Sequence, residues 1–328
     1  MIEKIAVCQG QSLDPYYNLA LEEVLLNNVQ QGECILYLWQ NANTVVIGRN
    51  QNPWRECRIG PLEENGGHLA RRLSGGGAVY HDTGNLNFTF LCSDKDYNLQ
   101  KHLSVIVEAC RANGVAAEIS GRNDVLAQGC KFSGNAFYHH GGKSYHHGTL
   151  MVDVNLEQVE HYLSPSPAKL KAKGVASVRS RVINLRELAP SMTCKSLSQD
   201  MVSAFEKVYG LESKELRIED LDSNAIELLR QRNTNKEWLY GRDLPMNFSC
   251  SDRFSWGELV LDLGIERGRI NKVRVYTDSM DWQLAAILEQ ALINIEFSMN
   301  QLSQALTATE LKPDIRQDII NLLAKQEI

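Results

Sequence analysis

What this chain lacks narrows its possibilities first. No apolar run approaches the length needed to span a bilayer, and Met1-Ile2-Glu3-Lys4-Ile5-Ala6 has no cationic stretch leading into an apolar core. Neither a membrane segment nor a secretory signal is therefore expected. Its eight cysteines stand at 8, 34, 57, 92, 110, 130, 194 and 250 with no Cys-x-x-Cys pair among them. A chain of 328 residues needs no disulfide staples, so reduced thiols and a cytoplasmic location are expected. There is no excess of positive charge: 34 lysines and arginines face 40 acidic residues, a net charge of −6, which argues against a dedicated nucleic-acid binder. Internal repeats and low-complexity tracts are absent. The histidines at 139, 140, 146 and 147 have no companion carboxylate at helical spacing, so they make a poor metal site. Gly142-Lys143-Ser144 resembles the end of a Walker A loop, but Phe137 stands where its first glycine belongs.

What is present suits an ordinary globular protein of two domains, with 43% apolar and 23% charged residues. Asp14-Pro15 reads as a helix cap and first turn. Leu99, Leu103, Ile106, Val107 and Cys110 keep a helical period that Gly114 ends. Extended segments are expected at 35–39, 44–48, 78–80, 86–91, 115–119, 125–128 and 130–138. A hairpin at His140-Gly141-Gly142-Lys143 leads into another strand around 146–152. Strands mixed with helices and hairpins predict an α+β fold on a mixed sheet rather than a doubly wound parallel one. The chain turns polar around 230–249, so the boundary is placed near 247. Residues 1–246 then form the main domain and 247–328 a small α+β domain. In the latter, alternating Leu259, Leu261, Leu263 and Ile265 precede helical patterns at 282–295 and 314–323, with Asp314 as the cap of the last.

Three segments could carry chemistry. Arg71-Arg72-Leu73-Ser74-Gly75-Gly76-Gly77-Ala78-Val79-Tyr80-His81-Asp82 joins a glycine triplet, which lets backbone N–H groups approach a ligand, to two arginines with forked donors. It reads either as a phosphate cradle between two strands or as a flexible hairpin loop. Lys131, within Lys131-Phe132-Ser133-Gly134-Asn135-Ala136, could steady negative charge on a carboxylate or phosphate, or be one more exposed strand lysine. Asp124, in Gly121-Arg122-Asn123-Asp124, is a hard oxygen donor suited to magnesium, or simply a turn residue. The run from Lys169 to Val182 holds five cations between 169 and 181, which could close over an anion or remain a solvated face. Cys130 adjoins Lys131. Strand alternation puts the two on opposite faces, so Cys130 is expected to be packed away from the cleft.

Taken in order, these segments resemble the lipoate–protein ligase A family, within the biotin/lipoate protein ligase superfamily. The resemblance extends to Asp14-Pro15-Tyr16-Tyr17-Asn18-Leu19-Ala20, to Leu38-Trp39, to Thr44 through Pro53, to His146-His147-Gly148-Thr149-Leu150 and to Ser177 through Val182. The tail from 247 is similar to the accessory domain of the larger ligases. The resemblance implies that ATP and lipoate give lipoyl-AMP and pyrophosphate. A lysine on lipoyl domains of 2-oxoacid dehydrogenase E2 subunits, or on the glycine-cleavage H protein, then takes the acyl group. It assigns Lys131 the central role in both steps. The ATP and adenylate site is assigned to Arg72, Gly77, Ala78, Val79, Tyr80, Asn123 and Asp124 with Lys131, and magnesium (Mg2+) to Asp124. The lipoate site is assigned to Val46, Gly48, Arg49, Ser74, Gly75, Gly76, His147 and Gly148, again with Lys131. Two alternatives are an octanoyl or lipoyl transferase using a cysteine acyl-enzyme without ATP, and an inactive lipoyl-domain-binding protein. The order of motifs fits a biotin–protein ligase poorly.

Overall fold

The computed structural model describes residues 1–121, 124–164, 182–240 and 246–326. β1 (Lys4–Gln9) leads into the helix Pro15–Asn28, whose cap is the predicted one: the Asp14 carboxylate accepts the Tyr16 and Tyr17 amides, with Pro15 at the first position. β2 (Glu33–Trp39) follows, then β3 (Thr44–Ile47), β4 (His68–Arg71) and β5 (Val79–His81). β6 (Asn85–Ser93), the helix Leu99–Ala112, β7 (Ala117–Ser120), β8 (Asp124–Ala127), β9 (Cys130–His140) and β10 (Lys143–Met151) complete the central part. β11 (Ser213–Glu215) closes one edge of an eight-stranded sheet of order β11-β1-β2-β6-β10-β9-β8-β7. β1 is parallel to both its neighbours and the remaining pairs are antiparallel, so the sheet is mixed. The hairpin between β9 and β10 turns on Gly141 and Gly142, with φ of 61° and 77°, a conformation glycine adopts without a steric cost.

β3, β4 and β5 form a second small sheet with β3 in the middle, parallel to β4 and antiparallel to β5. The glycine triplet is therefore the connection between two strands that flank a third, not a tight hairpin. Residues 53–67, whose prolines and glycines suggest only surface chain, hold the short helices Pro53–Glu56 and Ile59–Glu64. One face of the large sheet packs Leu86, Phe88, Phe90 and Cys92 of β6 against Leu103, Val105, Ile106 and Phe205. The other face packs Tyr37, Trp39, Leu91 and Tyr145 against Leu19, Leu21, Val24 and Leu25 of the first helix. The small sheet covers its own apolar cluster of Val45, Ile47, Leu69, Tyr80, Val159 and Tyr162.

The polar run at 230–236 does not mark a linker. It ends the helix Ser223–Thr234, whose polar side chains bind the first helix. Arg232 pairs with Glu23, Arg230 Nε donates to Asp14 at 2.8 Å, and buried Asn233 donates to the Tyr16 carbonyl. The second sheet domain consists of β12 (Phe248–Phe254), β13 (Gly257–Glu266) and β14 (Arg269–Thr277), covered by the helices Leu284–Leu292, Met299–Thr307 and Pro313–Ala324 around a separate core. Two expectations change here. The first of these helices is shorter than 282–295. The last starts with Lys312 as cap and Pro313 in its first turn, so Asp314 lies inside the helix, where its charge complements the helix amino terminus. Among the described residues no helix is long and apolar enough to cross a membrane.

Because Asp14 satisfies two helix amides and holds Arg230, replacing it with Ala should lower stability by about 1–2 kcal/mol, nearly all from the lost cap, since the ion pair is half exposed. A urea titration should show an earlier midpoint at unchanged slope.

Candidate active site

A cavity of about 310 Å³ opens between the small sheet, the large sheet and the second domain. Lys131 reaches it through an irregularity in β9. Opposite the Val125/Leu126 step the register shifts, so that Val125 pairs with Ser133 but Leu126 with Lys131. Such a bulge re-aims side chains. Phe132 joins the core on the far face, and the Lys131 ammonium comes to rest over Gly134. A Cβ on Gly134 would stand 2.9 Å from Lys131 Nζ, so this glycine is the ammonium's seat. Asp124 Oδ1 holds Nζ at 2.7 Å with both side chains largely buried. Cys130 does not line the cavity, in keeping with alternation, but it is half-exposed rather than packed.

The two arginines before the glycine triplet serve the loop itself, not as a free fork. Arg71 donates to the carbonyls of Gly48, Arg49, Gln51, Trp238 and Leu239 and so pins the turn after β3 to the helix Lys236–Tyr240. Arg72 donates Nε to Ser74 Oγ at 3.0 Å, Nη1 to the Val46 carbonyl and Nη2 to the Gly75 and Gly77 carbonyls, both at 2.8 Å. Burial lowers both arginines to about 10, still charged at neutral pH. Gly48 is a packing requirement: any side chain there would collide with the Gly76 carbonyl.

Behind the loop lies a buried line of polar groups. His147 Nδ1 donates to Glu22 Oε1 at 2.8 Å, and in the neutral imidazole Nε2 then accepts the Ser74 hydroxyl at 2.8 Å. Thr89 Oγ1 also donates to Glu22 and accepts from Trp39 Nε1. Glu22, a member of this line, is invisible in the sequence because a glutamate in a helix reads as exposed, whereas this helix is buried on nearly every side.

The expected residues divide by position. Val46, Arg72, Gly76, Gly77, Ala78, Val79, Tyr80, Lys131, His147 and Gly148 line the cavity. Ser74 stands behind it, and Gly75 is packed against the Ser279 and Met280 backbone of the second domain. Arg49 is placed elsewhere: its guanidinium lies 5.3 Å from the ring centres of both Trp238 and Trp282, stacked between the two domains. Asn123 and the basic segment 169–181 lie outside the described residues, although Val182, just beyond that segment, bridges in parallel to Lys131.

All the residues assigned from the sequence fall before the second domain, yet Arg253, Trp256, Asp278 and Met280 of that domain also line the cavity. Gly76 N–H donates to the Ser279 carbonyl at 3.0 Å, and Asn50 exchanges hydrogen bonds with Thr277 and Trp282. No single-chain pattern reveals such a contact, since it depends on how two domains dock.

A model of the lipoyl protein ligase A/B catalytic domain matches residues 14–206, and one of the bacterial lipoate protein ligase C-terminus matches residues 244–325. The protein named Lipoate-protein ligase A of Psychrobacter cryohalolentis is 37% identical over 309 residues, 91% of this chain and 91% of its own. Its namesake in Bdellovibrio bacteriovorus is 35% identical over 321 residues, 95% and 94% of the two chains. Among solved structures, P. falciparum LipL1 in complex with lipoate superposes with a TM-score of 0.83 at 27% identity, covering 97% of this chain and 99% of that one. The bi-partite lipoate protein ligase of Thermoplasma acidophilum, studied with its E2 lipoyl domain, gives 0.63 at 25% identity over 74% of this chain and 99% of that one. On these matches, which run through both sheet domains, the chain belongs to the lipoate–protein ligase family.

Proposed function

We propose that this ligase activates lipoate with ATP and then passes the lipoyl group to a lysine of an acceptor domain. The observation that carries this reading is one cavity lined by residues of two separate apolar clusters and by an ammonium held in place by Asp124, which we read as two ends with the ammonium between them. One end is walled by Leu19, Trp39 and Val46 and the other by Ala78, Tyr80, Met151, Val159 and Leu163, with Lys131 and Arg72 also lining it. In the first step a lipoate carboxylate oxygen attacks the α-phosphorus of ATP, forming the mixed anhydride as pyrophosphate leaves. In the second, the acceptor lysine amine attacks the carbonyl carbon, AMP leaves, the amine gives up a proton and an amide results. Negative charge gathers on the α-phosphate and carbonyl oxygens in both steps. A preorganised ammonium held by Asp124 over Gly134 suits that charge without rearranging.

Val46, His147 and Gly148 wall the acyl end, and Gly77 to Tyr80 the nucleotide end. Gly48, Ser74, Gly75 and Gly76 shape the loop between them, and Arg49 acts through the docked domain. Asp124 offers one hard oxygen ligand to magnesium, whose remaining ligands would be phosphate oxygens and water, as suits that ion; the ion would neutralise phosphate charge. Cys130 lies outside the cavity, which favours the adenylate route over a cysteine acyl-enzyme. The Thermoplasma ligase studied with its E2 lipoyl domain supports acceptors of that class, with the glycine-cleavage H protein as a second candidate. Eight free cysteines, six of them buried, fit a reducing compartment, the cytoplasm. The domain boundary is best drawn between 246 and 247. Incubation with lipoate, ATP, magnesium and an apo lipoyl domain should add one lipoyl mass to the domain and yield AMP and pyrophosphate. Lipoyl transfer from a thioester donor without ATP would overturn the reading.

Lys131→Ala should lower lipoate activation roughly 100- to 1,000-fold with the fold intact, the scale for losing one preorganised charge stabiliser. Lys131→Arg should recover little, because a planar fork cannot occupy the seat over Gly134. Steady-state AMP release, with circular dichroism as the folding control, checks both.

Cys130→Ser should keep most of the ligase activity. Mass spectrometry of the wild-type chain during turnover should find no thioester on Cys130.

Ending the chain near residue 247 should impair AMP formation more than transfer from supplied lipoyl-adenylate. Removing Arg253, Asp278 and Met280 opens the cavity wall, and the first step must align ATP, magnesium and lipoate together. Rates of the two half-reactions, measured separately on the truncated chain, make the comparison.

A further inference from the structure

Three polar side chains on the cavity wall are left without the partners their burial requires. His81, Asn85 and Asn87 are 3%, 1% and 1% exposed. All three line the cavity. His81 Nε2, Asn85 Oδ1 and Asn87 Nδ2 are buried with no hydrogen-bond partner. A buried donor or acceptor left unpaired is costly, so three together at one wall mark a place where a ligand completes the bonding.

Their chemistry specifies that ligand. Asn85 Nδ2 donates to Asn87 Oδ1 at 2.9 Å. That bond consumes one donor group and one acceptor, leaving an amide oxygen on one asparagine and an amide NH2 on the other. The count is the same whichever way the two amides are turned. A free acceptor beside a free donor is what a single asparagine amide presents to adenine, whose exocyclic amine donates while a neighbouring ring nitrogen accepts. His81 adds a neutral donor. Asn18 Nδ2 donates to Asn41 Oδ1, so the Asn41 amide NH2 is turned to His81 Nδ1 at 3.1 Å, which leaves the ring proton on Nε2. Burial and the nearby Arg72 push this histidine down to about 3, so it brings no charge.

Position supports the same occupant. Asn85 pairs across the ladder with Met151, which belongs to the apolar cluster of Ala78, Tyr80, Val159 and Leu163. A flat base needs apolar surface for its faces and polar groups for one edge, and this end of the cavity offers both. Asn87 pairs with Thr149, whose hydroxyl accepts the Gly134 amide; Gly134 is the seat of Lys131. From β6 to β9 is two strand spacings, about 10 Å, a reach that suits an α-phosphate at Lys131 joined through ribose to the base edge.

We propose that Asn85 and Asn87 together read the amine-bearing edge of the adenine of ATP, and so set the base specificity of the activation step. This rests on the nucleotide use proposed above. The test therefore measures binding apart from turnover. Calorimetric titration of the full chain with ATP and with purine riboside triphosphate, which lacks only the exocyclic amine, should show about tenfold or more tighter binding of ATP, the scale of losing a hydrogen bond at a buried site. Asn85→Ala, which removes the free acceptor, should weaken ATP by a similar factor while changing purine riboside triphosphate by less than about twofold, because the amine it reads is already gone. Asn87→Ala, which removes the free donor, should weaken both nucleotides, because both keep the ring nitrogen. Equal binding of the two nucleotides by the wild-type chain would overturn the proposal, as would an Asn85→Ala chain that loses both equally, and the wild-type comparison needs no folded variant. AMP formation, read separately, distinguishes the two readings. Selective ATP binding without lipoate-dependent AMP would remove the activation step and leave base recognition standing. Lipoate-dependent release of the matching nucleoside monophosphate (AMP from ATP, purine riboside monophosphate from the analogue) at equal rates would do the reverse.

Discussion

The guanidinium of Arg72 is the interaction on which the rest of the site depends. A run of three glycines can bring its backbone close to a ligand, but the same freedom makes it costly to order. Here the cost is met from inside, by one buried fork that gathers the Val46, Gly75 and Gly77 carbonyls and the Ser74 hydroxyl. Arg72 cannot be buried unpaired, and the loop carbonyls cannot be buried without donors, so each makes the other tolerable. The line Ser74–His147–Glu22 extends this anchorage across the large sheet into the first helix. The glycine loop is thereby tied to buried residues of the large sheet and the first helix, and its geometry is set before any ligand arrives.

A second consequence follows from how the two sheets meet. The large and small sheets carry separate apolar clusters, and residues of both line the cavity. Lys131 comes in from β9 by the bulge, and the second domain closes one side through Ser279 and Met280. Because Gly76 N–H is donated to the Ser279 carbonyl, loop geometry and domain docking are coupled. Arg49 between Trp238 and Trp282 fastens the same junction.

Much of this was legible in the sequence. Asp14-Pro15 announces its helix, Gly141-Gly142 its hairpin and the alternating leucines of 259–263 their strand, because each signal is local. Lys131 and the glycine loop could be singled out for the same reason. What stayed hidden depends on distance along the chain. Arg71 and Arg72 look like ligand-binding forks until the carbonyls they hold are known. Arg49 looks like a cavity residue until two tryptophans from separate domains are seen around it. Glu22 is ordinary in a helix until His147 and Thr89 arrive from strands far away. The polar stretch 230–236 resembles a linker because ion pairs to Asp14 and Glu23 cannot be read from one segment.

The central claim is that one cavity holds the acyl chain at one end and the nucleotide at the other, with Lys131 between. A stable sulfamoyl analogue of lipoyl-adenylate tests it most directly. In calorimetric competition it should bind one to a chain and displace both lipoate and ATP, each fully. Displacement of lipoate alone, with ATP still binding to the saturated protein, would contradict the account, because the two ligands would then occupy separate sites.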